Sequence, residues 1–328
     1  MKIIRLFTIL TLFISCNNSI EEKNPILFSE KNYDEAFQLI EYWLNTQKDY
    51  ENLPGLTAMV GDKEGVIWAQ AFGMANEQDV MSVENTFSIC SISKLFTAIA
   101  IMKLVEAQKI KLEDPIDELL PWFDLNQQFK DSPPLTIKSI LTHSSGLPRE
   151  SNHPYWSWPD FPFPTKEDVI NELKNQEMLY PSSKYYQYSN LGLSLLGYVV
   201  EEVSGETFDN YVTKNILAPL NMNSTKTYMS KEEYGEKLSV GYSSIKRERE
   251  REKVNFFNAD GIAAAAGFTS NVADLAKFAA WQIQLLESLE KNILSNETLK
   301  EMQKGSWDDE LNSVTRGLRS GMYNCNGE

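Results

Sequence analysis

Apolar residues return at three- and four-residue steps through Phe37, Ile40, Trp43 and Leu44, which predicts an amphipathic helix over 33–50. The pattern then changes period. Two runs rich in β-branched and aromatic residues, 55–60 and 65–72, flank Gly61-Asp62-Lys63-Glu64 and predict a β-hairpin. Helical spacing resumes from Ser91, with Leu95, Ile99, Met102 and Val105 forming the stripe of a helix buried on one face. Thr136 starts a short helix that stops before Ser144-Ser145-Gly146-Leu147-Pro148. Residues 149–164 are crowded with proline and aromatics, and suit either a pocket lining or a packed surface loop. Further helical patterns cover 165–175, 189–203, 208–216, 270–289 and 295–303, and 314–325 reads as a strand. Helices thus crowd the middle of the chain and strands lie near its ends. No repeat or long linker interrupts 33–328, which reads as one domain with an inserted helical region.

The ends and the charge narrow the possibilities. Lys2 and Arg5 precede a mostly apolar run over 6–14 and then Ser15-Cys16, the pattern of an export signal over 1–16 that is too short to span a bilayer. Leu12-Phe13-Ile14-Ser15-Cys16 resembles a lipoprotein signal, in which Cys16 becomes the lipidated first residue. The polar stretch 17–32 then reads as a tether, and the expected location is the bacterial cell envelope. With 42% hydrophobic and 23% charged residues, the 328-residue chain has the composition of a globular protein. A net charge of −15, with only a mixed-sign run over 246–253, argues against a nucleic-acid partner. Cys90 and Cys325, the cysteines besides Cys16, make no disulfide framework, and two histidines do not suggest a histidine-rich metal site. No cofactor is expected.

Ser91-Ile92-Ser93-Lys94 is the strongest chemical candidate. A serine hydroxyl is a weak nucleophile until a neighbouring base accepts its proton, and a lysine one helical turn away can be that base. Spacing alone does not select it, because Ser243-Ser244-Ile245-Lys246 and Ser288-Leu289-Glu290-Lys291 share the pattern. Context favours Ser91. It would sit in the first turn of an apolar helix, near unpaired N–H groups and the positive end of the helix dipole. Ser243 precedes the charge run, and Ser288 lies at the polar tail of another helix. Cys90 is an alternative nucleophile with His143 or His153 as partner, although Lys94 is placed for Ser91. Tyr188-Ser189-Asn190 opens the helical pattern 189–203; there a tyrosine can relay protons and an asparagine can bind an amide. Tyr50-Glu51-Asn52 matches the same weak pattern.

Taken in order, Ser91-Ile92-Ser93-Lys94, Leu141-Thr142-His143-Ser144-Ser145-Gly146-Leu147-Pro148, Tyr188-Ser189-Asn190, Ala218-Pro219-Leu220-Asn221-Met222 and Ala266-Gly267-Phe268-Thr269-Ser270 resemble the serine β-lactamase-like family. That family includes class C β-lactamases, D-alanyl-D-alanine carboxypeptidases, D-aminopeptidases and related esterases. The resemblance runs from about Pro54 to the last residue. It implies an α/β fold of the β-lactamase/transpeptidase type: a largely antiparallel sheet flanked by helices, with an inserted all-helical region. It also implies roles: Ser91 is acylated, Lys94 shares its proton, Tyr188 serves as base and then as acid to the leaving group, and Asn190 holds the substrate amide. His143 is implied to brace its loop. The implied function is a serine acyl hydrolase acting on a β-lactam, a D-amino acid peptide or an ester, with a small-molecule or peptide substrate as partner.

One expected motif is not found. The family's third motif, Lys-Thr-Gly or His-x-Gly on a late strand, has no counterpart after Ser91; Lys63-Glu64-Gly65 precedes the nucleophile. Asn326-Gly327 signals a tight hairpin turn one residue before the end. The expectation is a domain whose late strands are missing, together with one oxyanion donor, worth about a hundred- to a thousandfold in rate. A catalytically inactive envelope binding protein, or a truncated fragment, is the alternative reading.

Overall fold

The computed structural model describes residues 33–153, 156–247, 250–288, 291–309, 314–318 and 323–324. The segments 1–16 and 17–32, expected to be an export signal and a tether, lie outside them, as do Cys16, Cys325 and Asn326-Gly327. The first helix, α1 (Asp34–Tyr50), leads into the hairpin β1 (Gly55–Asp62) and β2 (Gly65–Gly73), paired antiparallel with an irregularity at Val60/Gly61. Phe37 of α1 stacks on Trp68 of β2 at 5.6 Å, and the Trp68 indole donates to Glu41 at 3.0 Å. These contacts seat α1 on the hairpin through one apolar position and one carboxylate.

A two-residue strand, β3 (Phe87–Ser88), precedes a 3₁₀ turn (Cys90–Ile92) and the central helix α2 (Ser93–Glu106). Ser91 therefore lies in a tight turn before the α-helix proper. The one-face stripe also requires correction. Phe96, Ala98, Ile99, Ala100, Ile101, Met102 and Leu104 are all buried, as are Ser93, Lys94 and Thr97. A segment this uniformly apolar has no polar face to show to water, so it is enclosed by neighbouring helices. Phe96 packs on Phe268 at 5.2 Å and on Phe278 at 4.6 Å.

Short helices α3 (Ile116–Leu119), α4 (Ile137–Leu141) and α5 (Lys166–Leu173) follow, the last two opened by reciprocal capping boxes at Thr136 and Thr165. Helix α6 (Asn190–Ser204) packs against α2 and is buried along most of its length. Ser189 caps it by accepting from the Gly192 N–H at 2.9 Å, and Gly205 ends it in the left-handed conformation. Helix α7 (Phe208–Val212) continues into a π-helical turn (Thr213–Leu217). Then α8 (Ala263–Ala266) lies against α6 so closely that a Cβ on Gly197 would come within 2.4 Å of the Ala264 Cβ.

Strand β4 (Thr269–Ser270) pairs with β3, and α9 (Val272–Glu287) packs on β1. After α10 (Asn296–Gln303) come β5 (Trp307–Asp309), β6 (Val314–Arg316) and β7 (Tyr323–Asn324), an antiparallel meander. The single strand expected over 314–325 is instead two paired strands. Thr315 lies opposite Asn324 and Arg316 opposite Tyr323, so the chain reverses between them. The fold is thus α/β with antiparallel pairing throughout its named strands, spread over three small sheets around the helical middle.

Candidate active site

The pairing of β3 with β4 positions the turn that presents Ser91. The Ile89 N–H donates to the Phe268 carbonyl at 3.0 Å, and Cys90 follows with φ of +43°, a left-handed conformation that costs a non-glycine residue free energy. Ser93 holds this turn. Its fully buried hydroxyl donates to the Cys90 carbonyl at 2.5 Å and accepts from the Phe268 N–H at 3.1 Å. The second serine of the motif therefore clamps the Ser91 turn to the residue before β4, while Ser91 remains exposed at the entrance to α2.

Lys94, the second residue of α2 and one turn beyond Ser91, is completely buried. Its amine donates to the Ser91 hydroxyl at 3.2 Å and to the Ala265 carbonyl at 2.7 Å. Thr97, one turn further on, donates to the Ala264 carbonyl at 2.6 Å. The two adjacent carbonyls of α8 thus align the lysine face of α2.

Tyr188 completes the cluster from the opposite side. Its hydroxyl is 2.7 Å from the Ser91 Oγ, across 97 residues of sequence. The Lys94 amine lies 4.9 Å from the centre of the Tyr188 ring, and the Arg149 guanidinium carbon 4.8 Å. His143, buried and with φ of +57°, packs on the same ring at 4.5 Å. Its Nδ1 accepts from the Ser189 N–H at 3.3 Å and its carbonyl accepts from the Gln187 N–H at 2.7 Å, the loop-bracing contacts expected of it. Gly146 brings this loop against the next segment: at φ of +78° its carbonyl accepts from the Leu179 N–H at 2.8 Å, and a Cβ there would meet the Tyr180 carbonyl oxygen at 2.1 Å. A hydroxyl in contact with both a phenol and an amine has two groups available to take its proton.

Asn190 sits at the start of α6 but is only 2% exposed. Its Nδ2 donates to the Glu150 Oε1 at 2.6 Å. The same oxygen accepts from the Trp156 indole at 2.9 Å and lies 3.3 Å from the Arg149 Nε. A carboxylate can only accept, so Glu150 fixes which end of the Asn190 amide faces it. The Asn190 Oδ1 is buried and has no hydrogen-bond partner among the described residues.

The rival motifs do not assemble. Lys246 pairs with Glu252, and the Ser243 hydroxyl donates to its neighbour's carbonyl. Lys291 pairs with Glu106 at 2.7 Å. Tyr50 is 72% exposed at the end of α1, and Cys90 is an exposed free thiol 3.5 Å from the Ser88 hydroxyl. Arg149, Glu150 and Trp156 fall in the 149–164 run that suited either a pocket lining or a surface loop, whereas the Ala265 carbonyl carried no sequence signal. A cavity of about 440 Å³, lined by Tyr198, Phe208, Asp260 and Ala264 among others, has none of Ser91, Lys94 or Tyr188 in its wall.

This fold, with a serine, a lysine and a tyrosine meeting at the head of a buried helix, defines a class. The Beta-lactamase family model matches residues 44–324, and the chain belongs to that family. Among its relatives, it is 27% identical over 235 residues to Penicillin-binding protein 4* of Bacillus subtilis, covering 68% of this chain and 51% of that protein. It is also 27% identical over 230 residues to Beta-lactamase-like protein 2 of Dictyostelium discoideum, covering 67% and 41%. The chain thus spans about half the length of these curated relatives. Among solved structures, the octameric penicillin-binding protein homologue from Pyrococcus abyssi superposes with a TM-score of 0.73 at 27% identity, covering 86% of this chain and 64% of that one.

Proposed function

We propose that the chain is the catalytic part of a serine acyl hydrolase that works through a Ser91 acyl-enzyme, on a β-lactam, a D-amino acid peptide or an ester. The observation that carries this reading is the contact of the Ser91 hydroxyl with both Tyr188, at 2.7 Å, and the Lys94 amine, at 3.2 Å. In acylation, Ser91 Oγ bonds to the substrate carbonyl carbon as its proton passes to Tyr188, ionised for this step, with Lys94 sharing the charge. Collapse of the tetrahedral intermediate breaks the bond to the leaving nitrogen or oxygen, which takes the proton from Tyr188. Water then attacks the Ser91 ester, again giving up a proton to the same pair, and Ser91 is restored. Family membership and likeness to penicillin-binding proteins support this chemistry without choosing a substrate, because pocket walls decide that.

The test is covalent labelling of the folded chain by a neutral serine-reactive acylating probe, read by intact mass. One adduct is expected on Ser91 and none on Ser91→Ala; a folded chain that stays unlabelled would count decisively against the proposal. A second reading, a catalytically silent binding protein, draws on the closure of Asn190 by Glu150. Turnover of an ester abolished by Ser91→Ala would rule it out. We also propose export and lipid anchoring through Cys16, motivated by the pattern over 1–16. Metabolic labelling with a fatty-acid analogue, lost in Cys16→Ser, is the check; equal labelling of both chains would reject the anchor.

A further inference from the structure

Tyr188 has two cations at its ring, and they differ in kind. Lys94 touches Ser91 directly, so in the mechanism proposed above it shares in the proton transfer. Arg149 carries a permanent charge, because a guanidinium is not deprotonated in proteins. Its place is set by backbone as well as side chain. The Arg149 carbonyl accepts from the Asn190 N–H at 2.8 Å and from the Leu191 N–H at 3.2 Å, satisfying the first amides of α6 just beyond Tyr188. The side chain is 60% exposed, yet it lies over the ring and is tied through Nε to Glu150. A cation over a neutral aromatic face is weakly attracted; when the phenol ionises, the attraction becomes that between full charges and grows.

We propose that Arg149 is a positioning residue that acts through Tyr188, as the fixed cation that favours the ionised tyrosine needed to take the Ser91 proton. The inference rests on the Ser91–Lys94–Tyr188 reading above. The groups facing Tyr188 are Lys94 from α2, His143 from the turn after α4, and Arg149 with its partner Glu150; Arg316 from β6 stacks on nearby Tyr186 at 4.0 Å. Glu150 opposes the effect in part, but one of its oxygens accepts from Asn190 and Trp156 as well as meeting Arg149. Lys94 is not a fixed charge in this sense, since it shares in the proton transfer from Ser91 in each cycle.

The experiment measures acylation of Ser91 by p-nitrophenyl acetate, an uncharged ester, from the first-turnover release of p-nitrophenol across the pH range. The rising limb of the profile is expected to vanish in Tyr188→Phe. In Arg149→Met it should move up by roughly half to two pH units, making the reaction about 3- to 100-fold slower on the limb. Arg149→Lys should restore most of the shift, because it returns the charge without the planar fork. Should Arg149→Met not fold, Arg149→Gln keeps a planar group without charge, and the same shift is expected. An unmoved limb in the neutral variants, or Arg149→Lys behaving like Arg149→Met, would overturn the role of Arg149 while Ser91 labelling leaves the reading of the site intact. Failure of wild-type Ser91 to acylate at any pH would overturn both.

Discussion

Replacing Lys94 by methionine separates its chemical role from its structural one. Methionine has nearly the same length and no charge. On stability, two effects oppose each other. The Ala265 carbonyl, accepting from the amine at 2.7 Å, loses its donor, which costs about 1–3 kcal/mol for a buried acceptor. Against that, the desolvation cost of a fully buried polar group, about 1–3 kcal/mol, is removed. The unfolding free energy of Lys94→Met should therefore lie within about 2 kcal/mol of wild type. Acylation should fall by about a hundred- to ten-thousandfold, the range for loss of a general base, or roughly 3–5 kcal/mol in the barrier. Urea unfolding gives the first quantity and the rate of probe attachment to Ser91 gives the second. A stability loss as large as the loss in barrier would make Lys94 a structural residue. Acylation within tenfold of wild type would remove it from the chemistry.

Other consequences are equally open to measurement. Ser93→Ala leaves the buried Phe268 N–H without its acceptor and frees the Cys90 carbonyl, so a loss of about 1–3 kcal/mol in urea unfolding is expected, with slower Ser91 labelling because the turn is unclamped; unchanged stability and labelling would refute the clamp. Burial raises the Glu106 carboxyl, but hydrogen bonds from Lys291, Thr298 and Ser295 outweigh it and hold the group down to about 2, against an ordinary value of 4.5. Its contribution is therefore full above about pH 4.5 and is lost as pH falls through about 2. Glu106→Gln should cost about 1–2 kcal/mol at neutral pH, after discounting the exposed Lys291, and the gap to wild type should close below that window; a pH-independent gap would refute it. Gly146→Ala adds both a left-handed alanine and a clash with the Tyr180 carbonyl, and is expected to cost about 3 kcal/mol or more, read as a lowered melting temperature.

Much of the architecture was legible locally. The hairpin followed from two strand-like runs around turn residues, and α1, α6, α9 and α10 lie within a few residues of their predicted spans, because apolar spacing and capping residues act within one turn. The error over 314–325 has the same origin. A short run with β character does not reveal whether it continues or folds back, and here the antiparallel pairing of β6 with β7 settles that. The all-round burial of α2 was illegible too, since an apolar stripe and an apolar cylinder differ only in what surrounds them.

By itself the sequence determined that Ser91 and Lys94 share a helical face, since three residues make almost one turn. It also determined the order of the motifs by which the family was met. It did not choose among three equal Ser-x-x-Lys matches by spacing. Tertiary structure did, by bringing Tyr188 to Ser91 across 97 residues, by closing the Ala265 carbonyl over Lys94, and by pairing Lys246 and Lys291 with carboxylates. It also put Arg149 beside Tyr188 and turned Asn190 toward Glu150. The division is physical: spacing within one turn is set by backbone geometry, whereas contacts between distant segments exist only once α2, α6 and α8 bury one another.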